Sequence, residues 1–209
     1  MRTSSAEYSV ENSDAYTHLT NNCLQIKNKD TYGKHEEGNA LSFSQFQAFL
    51  NETYPEHNLD VDEHFKLRMK DLAIDCYLSA KTTLNPSKRR NGFELFGFDF
   101  MIDEDFRVWL IEVNTNPYIG IHNKSMKHLP GEMLDNLFKI VVDPIFDGHS
   151  HPEEIGWTLL YSRARGVNLR RPVQEGIYPV PELANEWPIQ RERKKKKFGQ
   201  NITDRQTSF

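Results

Sequence analysis

The chain has 209 residues, of which 37% are hydrophobic and 27% charged, and a formal charge of −4. That composition fits one domain with a sizeable core and polar extensions. It excludes a protein spanning the membrane on helices, because no apolar run approaches the ~20 residues that a span needs. No hydrophobic signal segment opens the chain, so a soluble, cytosolic protein is expected. The charge is uneven. Residues 190–209 hold seven Lys/Arg against two Asp/Glu, a balance of +5, which leaves −9 on the rest. Cys23 and Cys76 lie in polar or amphipathic surroundings without a CxxC pattern, and read as free thiols in a reducing compartment.

In chain order, residues 1–17 are polar, with weak alternation that allows one strand leading into a loop. Tyr16–Ile26 has a mixed pattern that fits strand or helix. Asn28–Ala40 reads as a polar, mobile loop. Phe43, Phe46, Phe49 and Leu50 recur at helical spacing within Leu41–Thr53, with Ser42 as N-cap. Asp60–Ala80 carries the strongest helical signal. Asp60 and Glu63 resemble a capping box, and Phe65, Met69, Leu72, Ala73, Cys76, Tyr77 and Ala80 form one apolar stripe. That stripe reads as core rather than a cofactor site. Asn85–Gly92 is a basic loop. Ser125–Phe146 looks helical, with Pro130 in its first turn and Pro144 limiting its end. Residues 147–189 are rich in Pro, Gly and isolated aromatics. They read as an extension, either ordered against a surface or partly disordered. The tail 190–209 includes RERKKKK, a run that is usually solvated and disordered. It would otherwise attract an acidic polymer. No interleaved aromatics or recognition motif points to nucleic acid.

Phe93–Pro117, FELFGFDFMIDEDFRVWLIEVNTNP, holds the chemistry. It reads as two strands joined by an acidic turn. Phe96, Phe98, Phe100 and Ile102 share one face of the first strand, and Asp99 lies on the other with Leu95, Gly97 and Met101. On the second strand, Trp109, Ile111 and Val113 share a face opposite Leu110, Glu112 and Asn114. If Asp103–Phe106 is the connection, Ile102 pairs with Arg107. Asp99 then faces Leu110 and Gly97 faces Glu112, with Asp99 and Glu112 as diagonal neighbours. Gly97 would leave room there for a ligand. Three oxygen ligands on a rigid hairpin suit a hard cation such as Mg²⁺, which commonly serves nucleotide phosphates. An ordinary hairpin with polar positions on its solvent face is the alternative. Against it, carboxylates inside such apolar runs would be costly to bury unpaired.

Three stretches together resemble the tubulin–tyrosine ligase-like family: HLTN at His18–Asn21, FELFGFDFM at Phe93–Met101 and WLIEVNTNP at Trp109–Pro117. RTSSAEYS, just upstream of HLTN, looks like the family's short strand ending in arginine. The resemblance spans roughly residues 2–146 and implies an ATP-grasp fold of α+β class. The expected domains are 1–146, the C-terminal half of a ligase domain; 147–189, the extension; and 190–209, the basic tail. By position, Asp99, Glu112 and Asn114 correspond to Mg²⁺ and ATP ligands. Thr20 and Asn21 correspond to the lining of the nucleotide and amino-acid site, with Asn21 also in the catalytic set. Arg2 matches an arginine near the phosphates. Lys124 matches a lysine near the amino-acid substrate, with a plain surface lysine as the alternative. His18 reads as a general base or as a structural histidine hydrogen-bonded in its loop.

The implied chemistry is ATP- and Mg²⁺-dependent amide formation. A carboxylate is activated as an acyl phosphate, and an amine displaces phosphate. Mg²⁺ and cationic groups offset the charge. No enzyme nucleophile is required. The expected partners are tubulin or microtubules and a free amino acid, glutamate favoured, with glycine and tyrosine open; neither a membrane nor nucleic acid is expected. The expected place is the cytoplasm and cytoskeleton, including cilium or basal body. The lobe that would precede HLTN is expected to be missing, so an inactive or truncated microtubule-binding remnant stands as the second reading.

Overall fold

The computed structural model describes residues 1–89, 91–120, 127–146 and 156–169. Met1–Arg170 form one compact unit. Helices and short hairpins are mixed without βαβ alternation, in the order α1 (Ala15–His18), α2 (Asn22–Gln25), α3 (Phe43–Thr53), α4 (Leu67–Leu84), β1 (Gly97–Ile102), β2 (Val108–Asn114), α5 (Leu129–Val141), α6 (Asp143–Phe146), β3 (Tyr161–Ser162) and β4 (Val167–Asn168). β1 pairs antiparallel with β2, and β3 with β4. The α+β reading holds at this level.

The core gathers around α3 and the entry to α4. Phe65 and Leu50 are 0% and 1% exposed, and Phe46, Val61 and Val108 pack with them. α3 starts where the sequence places it. Ser42 Oγ accepts from Gln45 N at 3.1 Å, and Gln45 Oε1 accepts from Ser42 N at 2.8 Å, a complete capping box. Gln47 of α3 then clamps the next connection, accepting from Val61 N at 2.7 Å and donating to Leu59 O at 2.8 Å.

The long helix differs from expectation at its entry. Val61–Lys66 form a π-helical turn ahead of α4. Asp60 Oδ1 caps Glu63 N at 2.8 Å, but the return partner of Asp60 N is His64 Nδ1 at 2.9 Å, not Glu63. The widened turn sends Val61 and Phe65 into the core. Met69 and Leu72 follow them, whereas Tyr77 is exposed and Ile74, outside the expected stripe, is buried. Tyr77 instead meets Tyr161 of β3 in a tilted ring contact at 5.6 Å. Such side contacts depend on later chain and cannot be read from helical periodicity.

Residues 1–17 contain no strand; Arg2 makes an isolated antiparallel bridge with Ala40. The 28–40 segment is a series of hydrogen-bonded turns ending in a 3₁₀ turn, Glu37–Asn39, with Asn39 buried. The expected 125–146 helix breaks at Val142 into α5 and α6, and Pro130 sits in the first turn of α5. Trp157 Nε1 reaches back to Met133 O at 3.2 Å. Both cysteines are free. No helix of the described residues is long and apolar enough to cross a membrane. The 190–209 tail and Lys124 lie outside the described residues.

Candidate functional site

The β1–β2 hairpin presents its polar face as two carboxylates and an amide. Its register differs from expectation in two places. The connection is Asp103–Arg107, so Ile102 pairs with Val108 rather than Arg107. Asp103 organises this turn. Its Oδ1 accepts from Asp105 N and Arg107 N, each at 2.9 Å, and its Oδ2 accepts from Trp109 Nε1 at 2.8 Å. Phe106 takes a left-handed conformation with φ 62° to close the turn. A longer connection by one residue shifts every pair by one.

The second difference is a β-bulge. Phe100 pairs with Leu110 and Asp99 with Glu112, which leaves Ile111 as the extra residue. Asp99 is therefore directly opposite Glu112, not diagonal to it, and Gly97 is opposite Asn114. The bulge also regroups β2. Trp109 joins the face of Glu112 and Asn114, while Val108 and Leu110 share the core side with Phe100 and Ile102. Gly97 serves a close backbone approach of a different kind from the one expected. A Cβ there would stand 2.8 Å from Pro117 Cβ, so glycine accommodates the Asn114–Pro117 turn.

Asn114 links the two acids. Its Nδ2 donates to Glu112 Oε1 at 3.1 Å and approaches Asp99 Oδ2 at 3.4 Å. All three groups are solvent-accessible, and Asp99 and Glu112 are exposed. No burial cost therefore weighs on the two carboxylates, contrary to expectation. What remains is the donor chemistry. Like charges directly across a ladder repel, and here the positive end of an amide dipole sits between them. A hard cation would satisfy the same place better, with the Asn114 amide turned to offer its oxygen. Among the described residues, no three or more His, Cys, Asp and Glu side chains gather into a metal-holding group. A cation here would thus take few protein oxygens and leave its other positions to water or phosphate, the habit of Mg²⁺ rather than of a caged metal.

Arg2, Thr20 and Asn21, the other predicted residues that are described, lie in a polar assembly near the N-terminus. Asn21 is the N-cap of α2, its Oδ1 accepting from Cys23 N at 2.9 Å. Thr20, half-buried, precedes it in the turn between α1 and α2. Arg2 is exposed on the arm bridged to Ala40. His18 Nε2 bonds Asn12 O, and its ring meets Tyr8 edge-on at 5.5 Å, which is the structural role.

Sequence reasoning missed what holds this assembly. Gln25 is 0% exposed. Its Oε1 accepts from Ser5 Oγ at 2.7 Å, Ser5 N at 3.3 Å and Asn39 Nδ2 at 3.3 Å. Its Nε2 donates to Tyr16 O at 2.9 Å and Leu19 O at 2.6 Å. Nothing in the letters distinguishes a buried glutamine from a surface one. The only sequence hint is its place among Leu24 and Ile26.

Residues 1–150 match the family model described as the tubulin-tyrosine ligase family. Tubulin glycylase 3A of Drosophila melanogaster is 35% identical over 147 residues, which is 68% of this chain and 14% of that protein. Probable tubulin–tyrosine ligase PBY1 of Saccharomyces cerevisiae is 33% identical over 143 residues, 67% of this chain and 17% of that protein. A human relative named inactive polyglycylase TTLL10 is 32% identical over 135 residues, 62% of this chain and 20% of that protein. The chain thus spans about a fifth or less of the length of these relatives. With the match covering most of its length, and with the HLTN and WLIEVNTNP elements lying inside it, the chain belongs to the tubulin-tyrosine ligase family.

Proposed function

We propose that this chain carries the cation-binding part of an ATP-grasp-type site that ligates an amino acid to tubulin, in the cytoskeleton and including cilium or basal body. The observation that carries the reading is the cluster of two carboxylates and an amide, Asp99, Glu112 and Asn114, on a hairpin of a family member. Asp99 and Glu112 would hold Mg²⁺, with the Asn114 oxygen as third protein ligand. Bound MgATP would supply the phosphoryl group that activates a carboxylate for amide formation. Thr20 and Asn21 would line the nucleotide and amino-acid side, with Asn21 also in the catalytic set; Arg2 would offset phosphate charge, and Lys124 would lie near the amino acid. Glycine is the amino acid this reading favours. The relatives named glycylases support it over the glutamate expected from sequence. The basic 190–209 tail would add salt-sensitive attraction to an acidic microtubule surface.

A specific observation supports a second reading, a binding module without activity. The human relative named inactive shares much of this same stretch. One experiment separates the two. The protein is incubated with tubulin, ATP, Mg²⁺ and radiolabelled glycine, glutamate or tyrosine. Glycine incorporation that is lost in Asp99→Ala and Glu112→Ala is the expected result. Full activity in either variant would reject the cation assignment. A folded protein that binds microtubules and ligates nothing would leave the binding module.

A further inference from the structure

Two chain segments that the proposed function uses are far apart in sequence yet tied to one buried amide. The first is the N-terminal arm. Thr3 N donates to Asn39 O at 3.0 Å, Leu41 N to Met1 O at 3.0 Å, and Arg2 bridges Ala40. The second is the turn that carries Thr20 and Asn21, entered past the carbonyls of Tyr16 and Leu19. Gln25 donates to both carbonyls and accepts from Ser5 of the arm. Asn39 closes the circuit. Its Nδ2 donates to Ser5 Oγ at 2.6 Å and to Gln25 Oε1, and its Oδ1 accepts from Gly33 N at 2.7 Å. Asn39 holds φ at 50°, a left-handed conformation that asparagine tolerates better than most residues.

We infer that Gln25, through Ser5 and Asn39, is a positioning residue that locks the arm bearing Arg2 and the turn bearing Thr20 and Asn21 into one unit. A surface glutamine would have no need of five hydrogen bonds to four residues. Gln25, Asn39 and Ser5 are all buried, and a buried polar network in which every group is satisfied fixes one arrangement of its members. Neither α1 nor α2 has the length to be rigid alone, each being four residues. Cross-links therefore supply the rigidity, those of Gln25 together with Ser4 Oγ donating to Tyr16 O at 2.6 Å. The inference deepens the ligase reading and rests on it for its functional half.

The test reads kinetics and hydrogen exchange on the same protein. Gln25→Met keeps the length of the side chain and removes its hydrogen bonds. Per mole of folded protein, KM for ATP or for the amino acid should rise about tenfold or more, as misplaced binding groups commonly cause, with kcat at saturation far less changed. Exchange should accelerate together at the Thr3 and Leu24 amides, while the Phe46 amide of α3 keeps its protection. If Gln25→Met does not fold, the pair Ser5→Ala and Ser5→Thr carries the test, because only threonine retains the hydroxyl and should retain the wild-type KM. A lower melting temperature with unchanged KM and unchanged exchange would overturn the inference. So would acceleration at one segment alone. A wild-type protein that ligates nothing would refute the ligase reading, and the paired exchange would then decide the linkage by itself.

Discussion

Asp99→Asn should make the protein more stable without divalent cation and less responsive with it. Asp99 and Glu112 are direct cross-strand partners, both exposed. Opposed like charges on a ladder cost a few tenths to about 1 kcal/mol, so removing one returns that amount. The asparagine also keeps the shape of the carboxylate. The contact it gives up, Asn114 Nδ2 to Asp99 Oδ2, is already long at 3.4 Å. With Mg²⁺ at five times its dissociation constant, the wild type gains RT ln 6, about 1 kcal/mol, which is about 2–4 °C for a domain of this size. The variant should gain little of that. Melting followed in EDTA and then across a Mg²⁺ series, with and without a non-hydrolysable ATP analogue, should show the two curves crossing. Asp135→Asn is the control, since it removes an exposed acid that pairs with Lys139 at 2.5 Å on α5, far along the chain from the hairpin. Two results would refute the reasoning. One is an Asp99→Asn protein that is less stable than wild type in EDTA, which would make the carboxylate a structural group. The other is an equal Mg²⁺ shift in both proteins.

Two further outcomes follow from the hairpin and its support. Gly97→Ala should destabilise by about 1–3 kcal/mol, because its Cβ would meet Pro117 Cβ at 2.8 Å and push the Asn114 end of the site outward; chemical denaturation measures the loss, and a neutral result would mean that the Pro117 turn yields freely. Ser42→Ala should cost about 1 kcal/mol by removing one half of the α3 capping box, again read by denaturation, with a null result assigning the cap to the backbone alone.

Much of this molecule was legible because it rests on local rules. Ser42 as N-cap marks the start of α3, Pro130 marks the first turn of α5, and alternation marks β1 and β2. The π-helical entry to α4 was not legible, since it answers to how Val61 and Phe65 must reach the core rather than to any spacing of theirs. Nor was Gln25, whose burial is decided by Ser5 and Asn39, residues 20 and 14 positions away. Hydrophobic patterning reports apolar burial and is blind to a polar side chain that is buried because its partners are present.

The hairpin shows how a wrong register can still put the right residues together. Side chains on a strand alternate, so a slip of one residue moves every group to the other face. The connection Asp103–Arg107 is one residue longer than expected, and by itself it would set Asp99 opposite Ile111, with Glu112 turned away. The bulge at Ile111 adds a second slip of one, and parity returns. Every pair in the expected ladder was wrong, yet Asp99, Glu112 and Asn114 share a face because two odd shifts make an even one. Deleting Ile111 tests this. Leu110 then adjoins Glu112, and the pairs Phe100–Leu110 and Asp99–Glu112 can continue as one regular ladder. The Mg²⁺-dependent rise in melting temperature should survive that deletion undiminished. Its loss in a folded variant would show that the carboxylates need the twist of the bulge to aim them, and that a shared face alone does not make the site.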